Sequence, residues 1–365
     1  MELTKCKLGE LITQRREKND GSDLPICGVS KDGLIPPKQK DADTSIYNVF
    51  YRDDFIFNPA RMELNSIAIN DMYDRAICSS LYEVFYVHRT DLLLPHYLKL
   101  IIRQKWFTRY CEFLGQGSAR EYCRFSNISE IEIEFPPVEE QQKIVDYNTV
   151  IENRIALKQK INDNLLNSVQ AIFRSWFVDY DPFDGVCPSN WETGCVEDIT
   201  EFFDSMRKPL SSLERADMER IYPYYGAVSI VDYVDDYIFD GEYLLVSEDG
   251  IYVVDENGHP LIQHISGKFW ANNHAHILKG KAGFNEDSLY LFLANTNMAP
   301  IVTGAAQPKI NQANLKSFPI TIPDSETMLK FNNIIQPFFD QRLTNESEIK
   351  KLDALQSLLL TRLVD

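Results

Sequence analysis

Positive charge is scarce in this sequence, and the scarcity limits what the chain can bind by itself. The 365 residues include 37 Lys and Arg against 54 Asp and Glu, a formal net charge of −17. Residues 181–365 hold most of the imbalance, with 14 basic and 28 acidic residues, whereas residues 1–180 carry 23 and 26. A protein that grips DNA alone needs cations to neutralise phosphates. Either DNA is not a partner, or other subunits supply most of the positive charge.

Long apolar runs and regularly spaced cysteines are also absent. No stretch approaches the roughly 18 apolar residues of a membrane-spanning helix, and the opening MELTKCKLGELITQRR lacks the apolar core of a signal peptide. The seven cysteines are an odd number without short regular spacing, which favours reduced thiols. Cys111 and Cys123 are too far apart for a zinc knuckle. We therefore expect a cytoplasmic protein without a metal centre, whose cysteines are small buried side chains.

Signatures of catalysis are missing as well. The chain has neither a GxGxxG glycine turn nor a Walker loop, so we expect it to bind neither a nucleotide cofactor nor ATP. An adenine methyltransferase needs an Asn/Asp-Pro-Pro-aromatic loop, and the segments 58–60 and 181–183 do not fit that pattern. Carboxylates at 240–249 could be combined into a nuclease site, but an acidic chain offers many such coincidences. We expect no catalysis.

The sequence does contain an internal repeat with a period of 187 residues. The matched positions include Gly117 and Gly304, Asn127 and Asn314, Ile133 and Ile320, and Pro136 and Pro323. Self-similarity over such a period indicates a repeated structural unit. The chain is therefore predicted to be a tandem duplication, in which each copy is one globular unit followed by one long helix. Two similar but non-identical modules suit one task performed on two different targets.

Both copies end in a long segment, 138–177 and 325–364, with a seven-residue repeat. Its main positions are Ile144, Ile151, Lys158, Leu165 and Ile172 in the first segment and Phe331, Phe338, Asn345, Leu352 and Leu359 in the second, with Trp176 on the adjoining row. Such spacing is typical of coiled coils, in which polar seam residues fix the register. We predict that the two helices pair as an antiparallel coiled coil with a pseudo-twofold axis. The alternative is that each helix packs on its own domain. Pro337 predicts a kink or a late start of the second helix.

The rest of each copy predicts a mixed α/β domain, and the whole chain is assigned to the α+β class. β-Branched and aromatic residues cluster at 46–50, 55–57, 81–87, 243–246 and 251–254, where we expect strands. An amphipathic helix is expected at 95–107 and at 287–297, followed in each copy by a glycine-bearing turn, 114–120 and 302–309. The predicted boundaries are 1–137 and 181–323 for the domains, and 138–180 and 324–365 for the helices.

Several segments, in their order and duplication, resemble the specificity subunits of type I restriction–modification systems. They are the two glycine turns, SNISEIEIEFPPVEEQQKI and ANLKSFPITIPDSETMLKF with the helices that follow, LLNSVQAIFRSWFVDYDPF at 165–183, and YPYYGAVSIVDYV, YIFDGEYLLVSEDG and GKFWANNHAHIL in the second copy. The resemblance covers essentially the whole chain. It implies a non-catalytic DNA-binding subunit, in which each globular unit is a target recognition domain for one half of a split, asymmetric site.

The resemblance also implies partners. The paired helices would set the spacing between half-sites and dock two adenine-methyltransferase subunits, and nuclease/translocase subunits would join that core. S-adenosylmethionine, ATP and Mg would bind only to those partners. Because the partners would enclose the double-stranded DNA, this subunit would contribute contacts to bases more than to phosphates, which would explain its acidic charge.

Candidate DNA contacts are the loop side chains that can reach base edges, mainly Arg, Lys, Asn, Gln and Ser. They are Lys31, Arg61, Asn65, Ser79, Ser80, Gln116, Ser118 and Arg120 in the first unit, and Tyr224, Tyr225, Asn272, Asn273, His274, Gln307 and Lys309 in the second. The best group is 270–274, with an aromatic, two amides and a histidine. His274 and His276 could instead bind a metal, but no third acidic or sulfur ligand is suggested. Phe173, Trp176 and Phe177 are expected in the core or at the methyltransferase interface.

A second function remains open from the residues alone. A strongly acidic protein could occupy the DNA-binding cleft of a methyltransferase or nuclease partner and act as a decoy or assembly subunit without recognising DNA. A specificity subunit should bind DNA when assembled with methyltransferase, whereas a decoy should exclude DNA. The divergence of the two modules favours the first function, because a decoy has no reason to keep two different recognition surfaces.

Overall fold

A computed structural model of the chain describes residues 3–37, 43–115, 123–250, 253–304 and 306–361. The chain divides into two compact units. The first unit comprises Met1–Lys158 together with Ser347–Asp365, and the second comprises Gln159–Glu346. Each unit therefore contains one globular part and a stretch of both long helices.

The first unit is built from ten short strands and three helices among its described residues, before the first long helix begins. The strands are β1 (Thr4–Lys7), β2 (Ile12–Arg15), β3 (Ile26–Ser30), β4 (Gly33–Ile35), β5 (Asn48–Tyr51), β6 (Phe55–Phe57), β7 (Ile67–Ile69), β8 (Arg75–Cys78), β9 (Glu83–Val87) and β10 (Glu132–Phe135). The helices are α1 (Pro95–Ile102), α2 (Lys105–Gly115) and α3 (Phe125–Ser129), and the first long helix is α4 (Val138–Phe177). The strands form sheets in the orders β2-β9-β6-β7 and β4-β3-β8-β5, and β1 pairs with β10.

The second unit repeats this plan with longer strands. Its strands are β11 (Glu192–Cys195), β12 (Thr200–Phe202), β13 (Tyr222–Tyr225), β14 (Ile230–Val234), β15 (Phe239–Ser247), β16 (Ile262–Ala271), β17 (Ala275–Gly280) and β18 (Pro319–Ile322). Its helices are α5 (Val196–Ile199), α6 (Ser212–Ala216), α7 (Glu286–Ala294), α8 (Gln312–Lys316) and the second long helix α9 (Ser325–Thr361). The main sheet has the order β12-β17-β15-β16-β13-β14, and β11 pairs with β18.

Strand pairing follows the 187-residue repeat. β18 lies 187 residues after β10, and in each unit this strand pairs antiparallel with the strand that opens the unit. Among the described strands, each unit also contains one parallel pair, β3 with β8 and β13 with β16. The α+β class with two mixed domains, each followed by a long helix, is confirmed.

Local expectations differ from the structure at three places. Residue Ile46 belongs to a 3-10 turn, because the Asp43 carboxylate caps that turn by accepting from the Ser45 backbone N–H, and β5 begins only at Asn48. The helix expected at 95–107 is two helices, α1 and α2. In the strand expected at 251–254, positions 251 and 252 lie outside the described residues, and Val254 forms only an isolated bridge with Pro260.

The long helix α9 runs through Pro337 without a break in helical structure, so the expected late start is wrong and the kink stays a prediction. Pro337 removes one backbone donor, and the carbonyl of Asn333, one turn earlier, loses its partner. Both residues are exposed, so water can satisfy that carbonyl. The helix tolerates the proline because the loss occurs on its solvent side.

Within each unit, α4 and α9 contact each other in opposite chain directions. In the first unit, Gln356 Nε2 donates to Asn148 Oδ1 over 3.0 Å, and Lys158 Nζ lies 2.7 Å from Glu348 Oε2. In the second, Asn345 Nδ2 donates to Asn162 Oδ1 over 2.7 Å. The polar seam residues are thus hydrogen-bonded or ion-paired across the helix pair, as register-fixing residues would be. Coiled-coil packing and the pseudo-twofold axis stay predictions.

The seam residues are the less exposed side chains of both helices. Ile151 and Phe331 are buried, Ile144 packs on the core of the first unit, and Ile172, Trp176 and Phe338 pack on the core of the second. The remaining predicted positions, Leu165, Leu352 and Leu359, are half-buried. Phe173 lies in the second core, where its ring contacts Phe331 with centroids 6.4 Å apart. Because α4 contributes to both cores, it does not pack on its own domain alone.

Candidate nucleic-acid interface

The first unit contains a concave surface that brings three of the predicted contacts together. A cavity of about 870 Å³ is lined by Lys31, Arg61 and Ser79, together with Leu81 and Tyr82. It lies between the β3–β4 turn, the 3-10 segment Pro59–Leu64, the turn after β8 and helix α2. A concave surface with a few convergent polar groups is the usual form of a binding site.

Local backbone structure presents these side chains to solvent. Lys31 occupies the tight turn between β3 and β4, which Gly33 completes at φ +134°. Arg61 interrupts its 3-10 segment at φ −137° and ψ 32°, and its side chain is exposed. The Ser79 hydroxyl accepts from the Leu81 backbone N–H and so caps the next turn. Ser80 follows in the same turn but is not among the lining residues.

Asn65 is a correction to the predicted set. The side chain is buried, and its amide donates to the Ile102 carbonyl over 2.8 Å and lies 3.2 Å from the Thr108 hydroxyl. The backbone of Asn65 is left-handed at φ 49°, a conformation that asparagine tolerates. Asn65 therefore ends the 3-10 segment and fastens it to α1 and α2, which leaves it unable to reach a base. Gln116, Ser118 and Arg120 lie outside the described residues.

In the second unit, three separate segments meet beside the main sheet. They are Glu248 and Asp249 after β15, Asn272–His274 between β16 and β17, and residues 306–309, and we call them together the polar edge. The Glu248 backbone N–H donates to the His274 carbonyl over 2.9 Å, and the Ile310 N–H donates to the Glu248 carbonyl over 2.9 Å. Asp249 and Thr303 each form a bridge with Lys309. The predicted residues Asn273, His274, Gln307 and Lys309 are thereby gathered at one place.

Some members of the predicted set hold the polar edge together and do not project from it. Asn272 is buried, and its side-chain oxygen accepts from the His274 N–H over 2.8 Å. Tyr224 is also buried, and its hydroxyl accepts from the Leu210 N–H over 2.9 Å. Tyr225 is half-buried and packs its ring against Phe269. These three residues support the turns, whereas Asn273 and His274 are exposed.

The turn that carries Gln307 depends on a glycine. Gly304 has φ +84°, and a Cβ atom there would collide with the Gln307 carbonyl oxygen. Thr303 and Lys309 exchange two backbone hydrogen bonds of 2.8 Å across this turn. Gln307 is exposed at its tip. Gly304 thus lets two backbone segments of the turn approach each other closely.

A buried group of charged residues lies against the polar edge, and sequence analysis missed most of it. His276 Nδ1 is 2.7 Å from Asp204 Oδ2, and Arg207 Nη1 donates to Glu248 Oε2 over 2.5 Å. Lys309 Nζ lies 2.9 Å from the other Glu248 oxygen. Asp204 and Arg207 precede α6 and are far from the other three in sequence, so no local spacing pattern indicated the group.

This group corrects the premise that His276 has no acidic neighbour, because ligand atoms of Asp204, Glu248 and His276 lie within 4.8 Å of one another. Both nitrogens of His276 are already engaged, Nδ1 with Asp204 and Nε2 with the Ile310 carbonyl at 2.8 Å. Both oxygens of Glu248 face cations. The charged groups of this arrangement pair with one another, which suits a structural ion network better than a metal site.

Electrostatics of the two carboxylates agree with an ion network. Burial alone would raise the pKa of Asp204, but hydrogen bonding and charge attraction to His276 outweigh burial, and the pKa of Asp204 is lowered. Burial likewise opposes ionisation of Glu248, yet hydrogen bonds from Arg207 and Lys309 lower its pKa. Both groups are therefore charged at neutral pH and hold the surrounding cations in place.

Two further structural findings bear on expectations from the sequence. Cys27, Cys78, Cys111 and Cys123 are buried free thiols, as expected of small core side chains, but Cys6 and Cys195 are only half-buried and Cys187 is exposed, so the expectation is wrong for these three. Within the described residues, no helix is long and apolar enough to cross a membrane.

Comparisons with known proteins give the same answer for both halves of the chain. A family model described as the type I restriction modification DNA specificity domain matches residues 6–167 and again residues 188–355. A specificity subunit of the type I restriction enzyme MjaIX from Methanocaldococcus jannaschii is 24% identical over 299 residues, 75% of this chain and 69% of that protein. A protein of Haemophilus influenzae named as a type I restriction enzyme specificity subunit is 38% identical over 128 residues. That match covers 35% of this chain, and this chain spans 32% of the length of the Haemophilus protein.

A solved structure shows the same fold. The S subunit of a type I restriction–modification system from M. genitalium superposes with a TM-score of 0.58 at 15% sequence identity. The superposition covers 99% of this chain and 96% of that one.

Proposed function

The chain belongs to the family of type I restriction modification DNA specificity domains, and on that basis we propose that it is the DNA-recognition subunit of a type I restriction–modification complex. Each globular part binds one half of a split, asymmetric site in double-stranded DNA. The chain itself performs no catalysis. Adenine-methyltransferase subunits and nuclease/translocase subunits carry the chemistry, together with S-adenosylmethionine, ATP and Mg.

This proposal rests on one observation: the two units share a fold but carry different candidate contact residues. Both units match one family model and repeat the same strand pairing. Their candidate contacts differ, since Lys31, Arg61 and Ser79 line a cavity in one unit and Asn273, His274 and Gln307 belong to the polar edge of the other. Two recognition surfaces on one scaffold suit two different half-sites.

The long helices supply the second part of the proposal, spacing and docking. In the first unit, Tyr147, Val150 and Leu157 of α4 are 64%, 65% and 59% exposed. Residues three and seven positions apart share one helix face, so these side chains form an apolar stripe in solvent. Exposed apolar stripes mark protein contacts. We assign this stripe to a methyltransferase subunit, and the length of the helices to the separation of the half-sites.

Methylome sequencing tests the proposal directly. The chain is expressed together with its methyltransferase subunit in a strain without other adenine methylation, and N6-methyladenine is mapped on both strands. We expect one split, asymmetric motif with a methylated adenine on each strand, and no methylation when the chain is omitted. A complex that forms but neither binds nor methylates DNA would reject this function and favour the acidic decoy.

A further inference from the structure

The buried ion network of the second unit holds one cation firmly and another at the surface. Glu248 pairs with both Arg207 and Lys309, and its own side chain is only 11% exposed. Arg207 is 14% exposed, whereas Lys309 is 43% exposed. The two cations that share this carboxylate therefore differ in their access to solvent and to a ligand.

Arg207 is fixed by several acceptors besides Glu248. Its Nη1 donates to the Ala275 carbonyl over 2.7 Å and to the Asn273 carbonyl over 3.3 Å. Its Nε donates to the Asp204 carbonyl over 3.1 Å. Because Asn273 and Ala275 flank His274, these bonds also set the position of the exposed turn of the polar edge. A planar guanidinium can satisfy such a set of acceptors, and an ammonium group cannot.

Sharing of Glu248 has a consequence for ligand binding. A buried carboxylate that loses its only cation is strongly destabilised. If Lys309 turned from Glu248 toward a phosphate or a base, Glu248 would keep Arg207 as its partner. Lys309 is therefore the exchangeable cation of the pair, and its transfer to an anionic ligand leaves no uncompensated buried charge.

We propose that Arg207 is a positioning residue for DNA recognition by the second unit: it holds Glu248 and the 273–275 turn in place while Lys309 leaves Glu248 for the DNA. This inference rests on the proposed function of the chain. Recognition of one half-site therefore depends on Arg207, although the Arg207 side chain does not itself touch DNA.

The test uses the complete complex with its methyltransferase subunits and a duplex that contains both half-sites. Lys309→Ala should weaken specific binding about tenfold and reduce the slope of log affinity against log salt by about 1. Arg207→Lys should weaken binding to a similar extent, and discrimination should be lost at the same half-site. Both changes prevent the same event, the transfer of Lys309 from Glu248 to the DNA. The double variant should therefore bind DNA only slightly more weakly than either single variant.

Controls separate positioning from folding. Lys316→Ala removes another lysine of the same unit, paired with Glu197 at 3.0 Å, and should leave DNA binding unchanged. Glu248→Gln frees Lys309 without removing it, so affinity for unrelated DNA should rise about threefold while the preference for the specific site falls. If Arg207→Lys lowers the melting temperature, its weaker binding no longer separates positioning from folding, and the result for Glu248→Gln then tests the inference.

Three results would each overturn the inference. The losses from Arg207→Lys and Lys309→Ala could add fully in the double variant, or they could fall equally on both half-sites. The third is that Glu248→Gln weakens DNA binding as Lys309→Ala does. A wild-type complex without any specific DNA binding would instead refute the proposed function.

Discussion

Gln141 gives a sharp test of how the first long helix is attached to its domain. The side chain is fully buried and makes three hydrogen bonds to backbone. Its oxygen accepts from the Leu94 N–H over 2.9 Å, and its amide donates to the carbonyls of Leu92 and Pro136 over 2.7 and 2.8 Å. The bonds join the first turn of α4 to the loop before α1 and to the end of β10.

Substitution Gln141→Met keeps the side-chain volume and removes all three bonds. The second copy has Met328 at the equivalent position, buried in its core, so methionine is compatible with this helix register. Each lost bond costs about 1 kcal/mol, and a buried group left without a partner costs up to about 3. Burial of the thioether returns about 1 kcal/mol. We expect a net loss of about 3 kcal/mol, or about 6–12 °C in the melting temperature of the first unit.

The neighbouring residue is a matched control. Gln142 is exposed, and among the residues that the structure describes it bonds only within its own helix, to Asp146. Thermal and urea unfolding of wild type, Gln141→Met and Gln142→Met should be compared at equal concentration. If Gln141→Met is as stable as Gln142→Met, these hydrogen bonds do not anchor the helix and the argument is refuted.

Three further predictions concern pH, the glycine turn and partner docking. Burial, with the charges of Glu242 and Asp340, raises the pKa of Asp287 to about 7. The protonated carboxyl thus stabilises the fold below about pH 4, and this contribution is lost as pH rises through 7. Asp287→Asn should raise the melting temperature at pH 8 and leave it unchanged at pH 4, whereas equal shifts would contradict the assignment. Gly304→Ala should weaken DNA binding at one half-site while the complex still assembles, and loss of assembly would show that the turn has another role. Val150→Asp with Leu157→Asp should abolish methyltransferase capture without lowering the melting temperature, and unchanged stoichiometry would reject the stripe as a docking surface.

Long-range periodicity made the architecture predictable from the sequence. The 187-residue repeat returns glycines, asparagines and prolines as well as apolar residues at matched positions, and the seven-residue spacing depends on apolar residues that must face a core, so together they indicated both domains and both helices. The late start expected at Pro337 was wrong because the effect of a proline depends on which side of the helix faces solvent. Exposure of that side is a property of the packed structure, not of the residue.

The candidate interface was predictable only in part. Residue type suggested Lys31, Arg61 and Lys309, because cations in loops are candidates wherever they occur. Residue type could not distinguish Asn65, which fastens a buried turn, from Asn273, which is exposed. Arg207 was missed because two of its partners in the polar edge, Glu248 and Asn273, lie 41 and 66 residues later in the chain, and no short pattern connects them.

The first unit is not continuous in sequence, and this affects how the protein is made. Its two pieces end at Lys158 and begin again at Ser347, so the ribosome must synthesise roughly 190 residues between them. At about 5–20 residues per second, the missing piece arrives about 10–40 s later. During that interval the second unit can emerge and fold, while the first waits for its last helical segment. The part of the protein that is translated first is therefore the part that is completed last.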